Sequence, residues 1–211
     1  MGKLSVSTLV TLDGVIQDPG GFGETSQGGW GNPYFTEEAQ QDAYEHLMAS
    51  DYFLCGRVTY ELLSKTWGKI KGGPYLDRMN SIPKLVASRT LTEPLEWNAT
   101  LIKGDVPGAI AKLKVEGKNI EMYGSADLMQ TLIEHDLIDE YRIWVHPFVI
   151  GRGEAPVHRR WAGHQTAARR YQDPQLRCGR GGLHARQLGA GIPQEQQAHR
   201  PGGRRQHWSE N

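Results

Sequence analysis

Several short groups of polar residues in this chain each follow a stretch that reads as a β-strand. Open α/β sheets hold their ligands at that end of the strands. Asp13 and Gly14 follow the first such stretch, Gly56, Arg57, Thr59 and Tyr60 the second, Ser88, Arg89 and Thr90 the third, and Gly124 and Ser125 the fifth. Arginine presents a fixed fork of donors that matches a phosphate, and glycine with serine at a helix start lets backbone N–H groups approach a diphosphate. Each group also has an ordinary reading. An arginine after a strand serves as a surface residue, and Gly-Ser before a helix serves as a cap. The shared position of the groups carries the inference that they bind a phosphorylated ligand together.

Other chemistries find little support. Five of the eight histidines fall at irregular spacing after residue 153, without an acidic cluster that would complete a metal site. Neither a GxGxxG sequence nor a P-loop is present, and Ser, Cys and His form no nucleophile motif. A formal net charge of +0 gives no steering toward nucleic acid or an acidic membrane. Two cysteines are too few for a disulfide scaffold, which suits a reducing compartment, and no apolar run approaches the span of a bilayer. The expectation is a cytoplasmic protein without a membrane partner.

The elements that must position these residues alternate. Residues 3–10 read as a strand, followed by a glycine-rich loop over 18–33 of the kind that often forms a lid. Thr36 is placed to cap a helix whose first turn carries Glu37 and Glu38. Residues 52–55 form a short apolar run suited to a buried strand, and 59–63 a short helix. Strands are expected at 84–88, 98–101 and 119–123, and helices at 107–115 and 126–134. A last β-rich stretch over 141–150 contains Pro147, which marks a bulge or an edge because it cannot donate to a ladder. Strands alternating with helices predict a three-layer α/β domain.

Composition divides the chain at about residue 153. Residues 1–153 carry 14 Lys and Arg against 20 Asp and Glu, whereas residues 154–211 carry 10 arginines, no lysine and 4 acids. Past Gly153 no helical face or strand period continues, so 154–211 is expected to be an aberrant or disordered Arg/Gln/Gly-rich tail. An RNA- or DNA-binding arm is the competing reading of that tail, and the missing lysines and absent module signature speak against it.

TLDGVI at 11–16, LCGRVTYE at 54–61, KLVASRTL at 84–91, IEMYGSADLMQTL at 120–132 and DLIDEYRIWVHPFVIGRG at 136–153 resemble, in order and spacing, the bacterial dihydrofolate reductase-like family related to the riboflavin biosynthesis reductase domain. The resemblance implies a mainly parallel central sheet with helices on both faces, an antiparallel C-terminal hairpin and, in many members, a homodimer. It implies a reductase that takes NADPH in preference to NADH and passes a hydride to a C=N or C=O group of a small pterin-, pyrimidine- or carbonyl-type substrate. Carried over by position, Gly56, Arg57 and Thr59 meet cofactor phosphate or ribose. Ser88, Arg89 and Thr90 complete that site, with Arg89 at the 2′-phosphate, and Gly124, Ser125 and Ala126 form the diphosphate turn. Asp13 becomes the candidate catalytic acid, with Glu37, Glu38 and Asp42 behind it, and Trp30, Tyr60 and Trp67 the candidate substrate-binding aromatics. Where the family continues after VIGRG to a final strand, this chain gives EAPVHRRWAGHQ. A reading-frame change near codon 153 would account for that break and leave the hairpin incomplete. The same residues also fit a non-catalytic nucleotide- or pterin-binding module, or an inactive member of the family.

Overall fold

The computed structural model describes residues 1–153; the expected tail over 154–211 lies outside the described residues. The chain runs β1 (Leu4–Thr11), α1 (Glu37–Met48), β2 (Tyr52–Gly56), α2 (Arg57–Thr66), α3 (Pro74–Ser81), β3 (Lys84–Ala87), β4 (Ala99–Ile102), α4 (Val106–Val115), β5 (Ile120–Tyr123), α5 (Ala126–Glu134) and β6 (Glu140–His146). Six strands form one sheet in the order β4-β3-β2-β5-β1-β6, and every pairing is parallel. Among the described residues there is no antiparallel hairpin, and β6 is an edge strand.

Alternation within the strands assigns the two faces. Leu4, Val6, Leu54, Leu85, Ile120 and Met122 pack with Ile110 of α4 and Leu128, Met129 and Leu132 of α5. Phe53, Cys55 and Val86 point the other way and pack with Leu47 of α1, Tyr60 and Leu63 of α2 and Met79 of α3. Both faces are covered, which is why the central strands read as near-continuous apolar runs instead of polar-apolar alternation.

Element edges follow local chemistry. α2 starts at Arg57 rather than 59 because Gly56, with extended backbone, takes the cap position, and the helix continues to Thr66. α3 was not anticipated from periodicity, although Pro74 in its first turn is a helix-start signal. β4 begins at Ala99 and not at 98, because Trp97 and Asn98 both have positive φ, 62° and 52°. β6 ends at His146 instead of reaching 150, since Pro147 has no N–H to extend the ladder.

An ion pair between a buried lysine and a surface carboxylate fixes where β6 begins. Lys114 Nζ, on a side chain only 5 % exposed, lies 2.7 Å from Asp139 Oδ2 and donates to Leu137 O at 2.7 Å. The same Asp139 oxygen accepts the Leu4 N–H at 2.8 Å, so the clamp joins the starts of β1 and β6. Asp139→Ala leaves the buried ammonium without its carboxylate and is expected to lower the unfolding free energy by about 3 kcal/mol. A urea titration reads this as a lower midpoint; an unchanged midpoint would mean the pair contributes nothing net.

Candidate functional site

The carboxyl ends of the strands open into a cavity of about 880 Å³. It lies where β2 and β5 pair and their helices leave for opposite faces, α2 to one and α5 to the other. Such a divergence leaves a crevice between two helix N-termini. Gly56, Arg57 and Thr59 come to it from β2 and α2, Ser88, Arg89 and Thr90 from the end of β3, and Gly124, Ser125 and Ala126 from the β5–α5 turn. All nine residues read as a dinucleotide site therefore lie on one wall system.

Ser125 ties these segments together. Its hydroxyl oxygen accepts the Gly56 N–H at 2.9 Å and is 2.7 Å from Thr59 Oγ1. It sits in the left-handed region at φ 61°, after Gly124 at φ 52°, so the turn enters α5 through two consecutive left-handed residues. A glycine is needed at the first of them to keep the strain small. The Ser88 hydroxyl similarly accepts the Thr90 and Leu91 N–H groups at 3.1 and 3.0 Å, which folds the β3 end into a compact turn and holds Arg89 out at the cavity. The two arginines differ. Arg57 Nη1 donates to Glu61 Oε2 at 3.0 Å, whereas Arg89 is exposed and makes no ion pair among the described residues.

The remaining candidates separate. Trp67 lines the cavity, edge-on to Phe22 and Tyr75 at 6.2 and 5.9 Å between ring centroids. Trp30 and Tyr60 do not line it. Trp30 is buried, donates through Nε1 to Gln17 O and meets the His146 ring edge-on, while Tyr60 donates its hydroxyl to Glu96 O from within the core. Asp13 also stands outside the cavity walls. Its carboxylate accepts the Thr11 hydroxyl at 2.6 Å and the Gly151 N–H at 2.6 Å, and these bonds hold it below the usual carboxylate range. An acid held ionised serves poorly as a proton donor at neutral pH. Glu37 and Glu38 occupy the first turn of α1 behind the Thr36 cap, and Asp42 is held by Arg142.

The cavity floor contains groups that the sequence reading passed over. Ser7 on β1 is the register partner of both Tyr123 on β5 and Arg142 on β6, and all three line the cavity. Beneath them Glu121, 1 % exposed, accepts the Ser7 hydroxyl through Oε1. Burial raises its carboxyl from 4.5 to about 7, against the lowering pull of Ser7 and then Arg142. The signal available in the sequence was an acid in the middle of an apolar strand, IEMY. Burial pushes the Tyr75 and Tyr123 phenols upward, so they stay neutral. Among the described residues no helix is long and apolar enough to cross a membrane, and no cluster of His, Cys, Asp and Glu could hold a metal.

Two outcomes follow from this geometry. Ser125→Ala removes the acceptor of the Gly56 N–H and is expected to cost about 1–2 kcal/mol in a denaturant titration. A cost near zero would mean water replaces the hydroxyl. For Glu121 the unfolded carboxyl releases its proton near 4.5 and the folded one near 7. The contribution of Glu121 to stability is therefore largest below the first value, falls as pH rises between them, and levels above the second. The whole fall is about 3 kcal/mol. Glu121→Gln cannot titrate, so its stability should lack that fall when compared at about pH 5 and about pH 8; equal slopes in both proteins would assign the titration elsewhere.

Comparison with known proteins agrees with this architecture. Residues 3–178 match the family model of the RibD C-terminal domain, a span that runs past Gly153, where the readable motifs end. The uncharacterized protein YyaP of Bacillus subtilis is 29% identical over 161 residues, covering 72% of this chain and 78% of that protein. A putative riboflavin biosynthesis protein from Shewanella sp. PV-4 superposes with a TM-score of 0.50 at 25% identity, over 74% of this chain and 83% of that one. Dihydrofolate reductase of Schistosoma mansoni shares the fold, with a TM-score of 0.50 at 15% identity over 76% of this chain and 82% of that one. With its cavity at the strand ends where these motifs gather and its sequence matching the family model over residues 3–178, the chain belongs to the RibD C-terminal domain family.

Proposed function

We propose that this protein is an NADPH-dependent reductase acting on the C=N or C=O group of a small planar substrate, of pyrimidine, pterin or related carbonyl type. The observation that carries the reading is the convergence of Gly56, Arg57, Thr59, Ser88, Arg89, Thr90, Gly124, Ser125 and Ala126 on one cavity. Family membership and the likeness to a putative riboflavin biosynthesis protein support the same chemistry.

The residues present suit a dinucleotide. The α5 N-terminus and the left-handed Gly124–Ser125 turn offer backbone donors to a diphosphate. Gly56 leaves the adjacent wall open, because a Cβ there would come within 3.3 Å of Ser125 Oγ. Arg89, lacking an ion pair among the described residues, is free to take a 2′-phosphate, while Arg57 would have to share its guanidinium with Glu61. Trp67, Phe22 and Tyr75 give the far half of the cavity aromatic walls against which a flat heterocycle can pack. When bound, the reduced nicotinamide supplies a hydride from its C4. The chain's own share is to hold donor and acceptor close and to keep water from between them.

The test is thermal and fluorescence titration of the purified full chain with NADPH and with NADH, followed by NADPH oxidation assays on a panel of pterins, pyrimidines and small carbonyl compounds. NADPH should raise the melting temperature more than NADH at equal concentration. Arg89→Ala should weaken NADPH by about tenfold to a hundredfold, as expected for a lost charge-assisted contact, and leave NADH nearly unchanged. Absence of any shift with either dinucleotide would refute the reading.

A further inference from the structure

Around the cavity floor lies a set of groups that the dinucleotide does not need. Tyr123, Ser7 and Arg142 form one row across β5, β1 and β6. One pleat back on β5, Glu121 is shut from solvent and reaches the Ser7 hydroxyl. Arg142 Nη1 donates to the same hydroxyl at 3.2 Å, and its other terminal nitrogen holds Asp42 on α1. Ser7 is thus the polar group that touches both the buried carboxyl and the cavity.

We propose that Ser7 delivers the proton to the bound substrate and that Glu121 is the reservoir that recharges it, a positioning and proton-storing residue acting through Ser7. The proposal rests on the reductase reading and specifies its acid. A serine hydroxyl has one proton to give and two lone pairs to receive. Ser7 donates to Glu121 Oε1 when that carboxyl is ionised; once Glu121 is protonated the bond reverses, and with Glu121 and Arg142 both donating to Oγ the Ser7 proton is left to face the cavity. In the reduction, the hydride from the reduced dinucleotide forms a C–H bond at the electron-poor carbon, and the π pair of the C=N or C=O bond moves to the heteroatom. That heteroatom takes the Ser7 proton, Ser7 takes the proton of Glu121, and Glu121 is left as a carboxylate. The substrate gains two electrons and a proton with the hydride and a second proton from the chain. The dinucleotide is oxidised, and Glu121 regains its proton from solvent after product leaves.

Other groups nearby are poorly suited. The Cys55 thiol is pushed up to about 12 by burial, the Tyr75 and Tyr123 phenols are raised as well, and Asp13 lies outside the cavity. Glu121 faces Ser7 from β1, the apolar Phe53 from β2, Asp42 from α1, Tyr75 from α3, Tyr123 from its own strand, and Glu140 and Arg142 from β6. Burial of Glu121 itself comes first, and one cation stands against three carboxyls around it, which keeps a proton on this innermost acid up to about pH 7.

Two measurements decide it, the first without any substrate. Carbon NMR of the full chain, labelled at glutamate carboxyls, should show one carboxyl titrating near 7. That signal should vanish in Glu121→Gln and titrate still higher in Ser7→Ala, which loses the bond favouring the carboxylate, while NADPH affinity stays within about twofold in both variants. No carboxyl titrating above about 6, or a titration untouched by Ser7→Ala, would overturn the relay. The second measurement uses whichever panel compound the wild-type protein reduces. Glu121→Gln and Ser7→Ala should lower kcat by about a hundredfold, and the fall of kcat as pH rises through Glu121 should disappear in Glu121→Gln. Ser7→Thr, which keeps a hydroxyl, should restore most of the rate. Unchanged kcat and pH profile in Glu121→Gln would refute the proposal. If the wild-type chain binds no dinucleotide, the reductase reading fails on its own test, and the NMR titration still settles whether Ser7 and Glu121 share a proton.

Discussion

The hydroxyl of Ser125 is the point on which the site depends. It accepts the N–H of Gly56 and meets the Thr59 hydroxyl, and so joins the start of α5 to the start of α2 across the β2–β5 pair. Two helix N-termini would ordinarily repel at such a junction, since each carries a partial positive charge. A neutral oxygen between them lets them approach. The same left-handed turn that brings Ser125 into place directs the α5 backbone donors into the cavity. One interaction thereby sets both the spacing of the walls and the charge preference of what lies between them.

The floor follows a different logic. A buried carboxyl in the middle of a parallel sheet costs stability, and a leucine at Glu121 would pack against Phe53 without that penalty. The surrounding groups only partly compensate. Ser7 and Arg142 stabilise the charged form, whereas Glu140 and Asp42 oppose it. A structural ion pair would be expected to end with a depressed acid; this one ends with a raised acid connected through a single hydroxyl to a cavity. Local instability placed beside an opening is the pattern of a functional group more than of a scaffold.

Much of the fold was legible because its signals are local. Thr36 with Glu37 and Glu38 located the start of α1, the apolar runs located β2, β3 and β5, and Pro147 marked β6 for an edge position. The convergence of the strand-end residues on one cavity was legible for a related reason. In a parallel sheet all strand ends point one way, so residues that follow neighbouring strands come to the same edge, whatever their separation in the chain. The floor was not legible, because Ser7, Glu121 and Arg142 act through cross-strand register, and register depends on which strands become neighbours. The placing of β5 between β2 and β1 cannot be read from any one of the three segments. Aromatic residues failed as markers for a similar reason: Trp67 reaches the cavity and Trp30 and Tyr60 do not, and the difference lies in packing partners distant in sequence.

Asp13 shows how a residue can bear on the cavity from outside its walls. Its carboxylate accepts the N–H groups of Ile150 and Gly151, just beyond β6, while the Lys114–Asp139 pair holds the beginning of that strand. β6 has only β1 as a sheet neighbour among the described residues, so it relies on these end contacts more than an inner strand would. Arg142 sits between the two clamps, with Ser7 opposite it in register. A slip of one residue along that ladder would turn Arg142 to the other face of the sheet and leave Ser7 and Asp42 without their shared guanidinium. The charge at the end of β1 therefore bears on the cavity through the register of the edge strand, from outside the cavity walls.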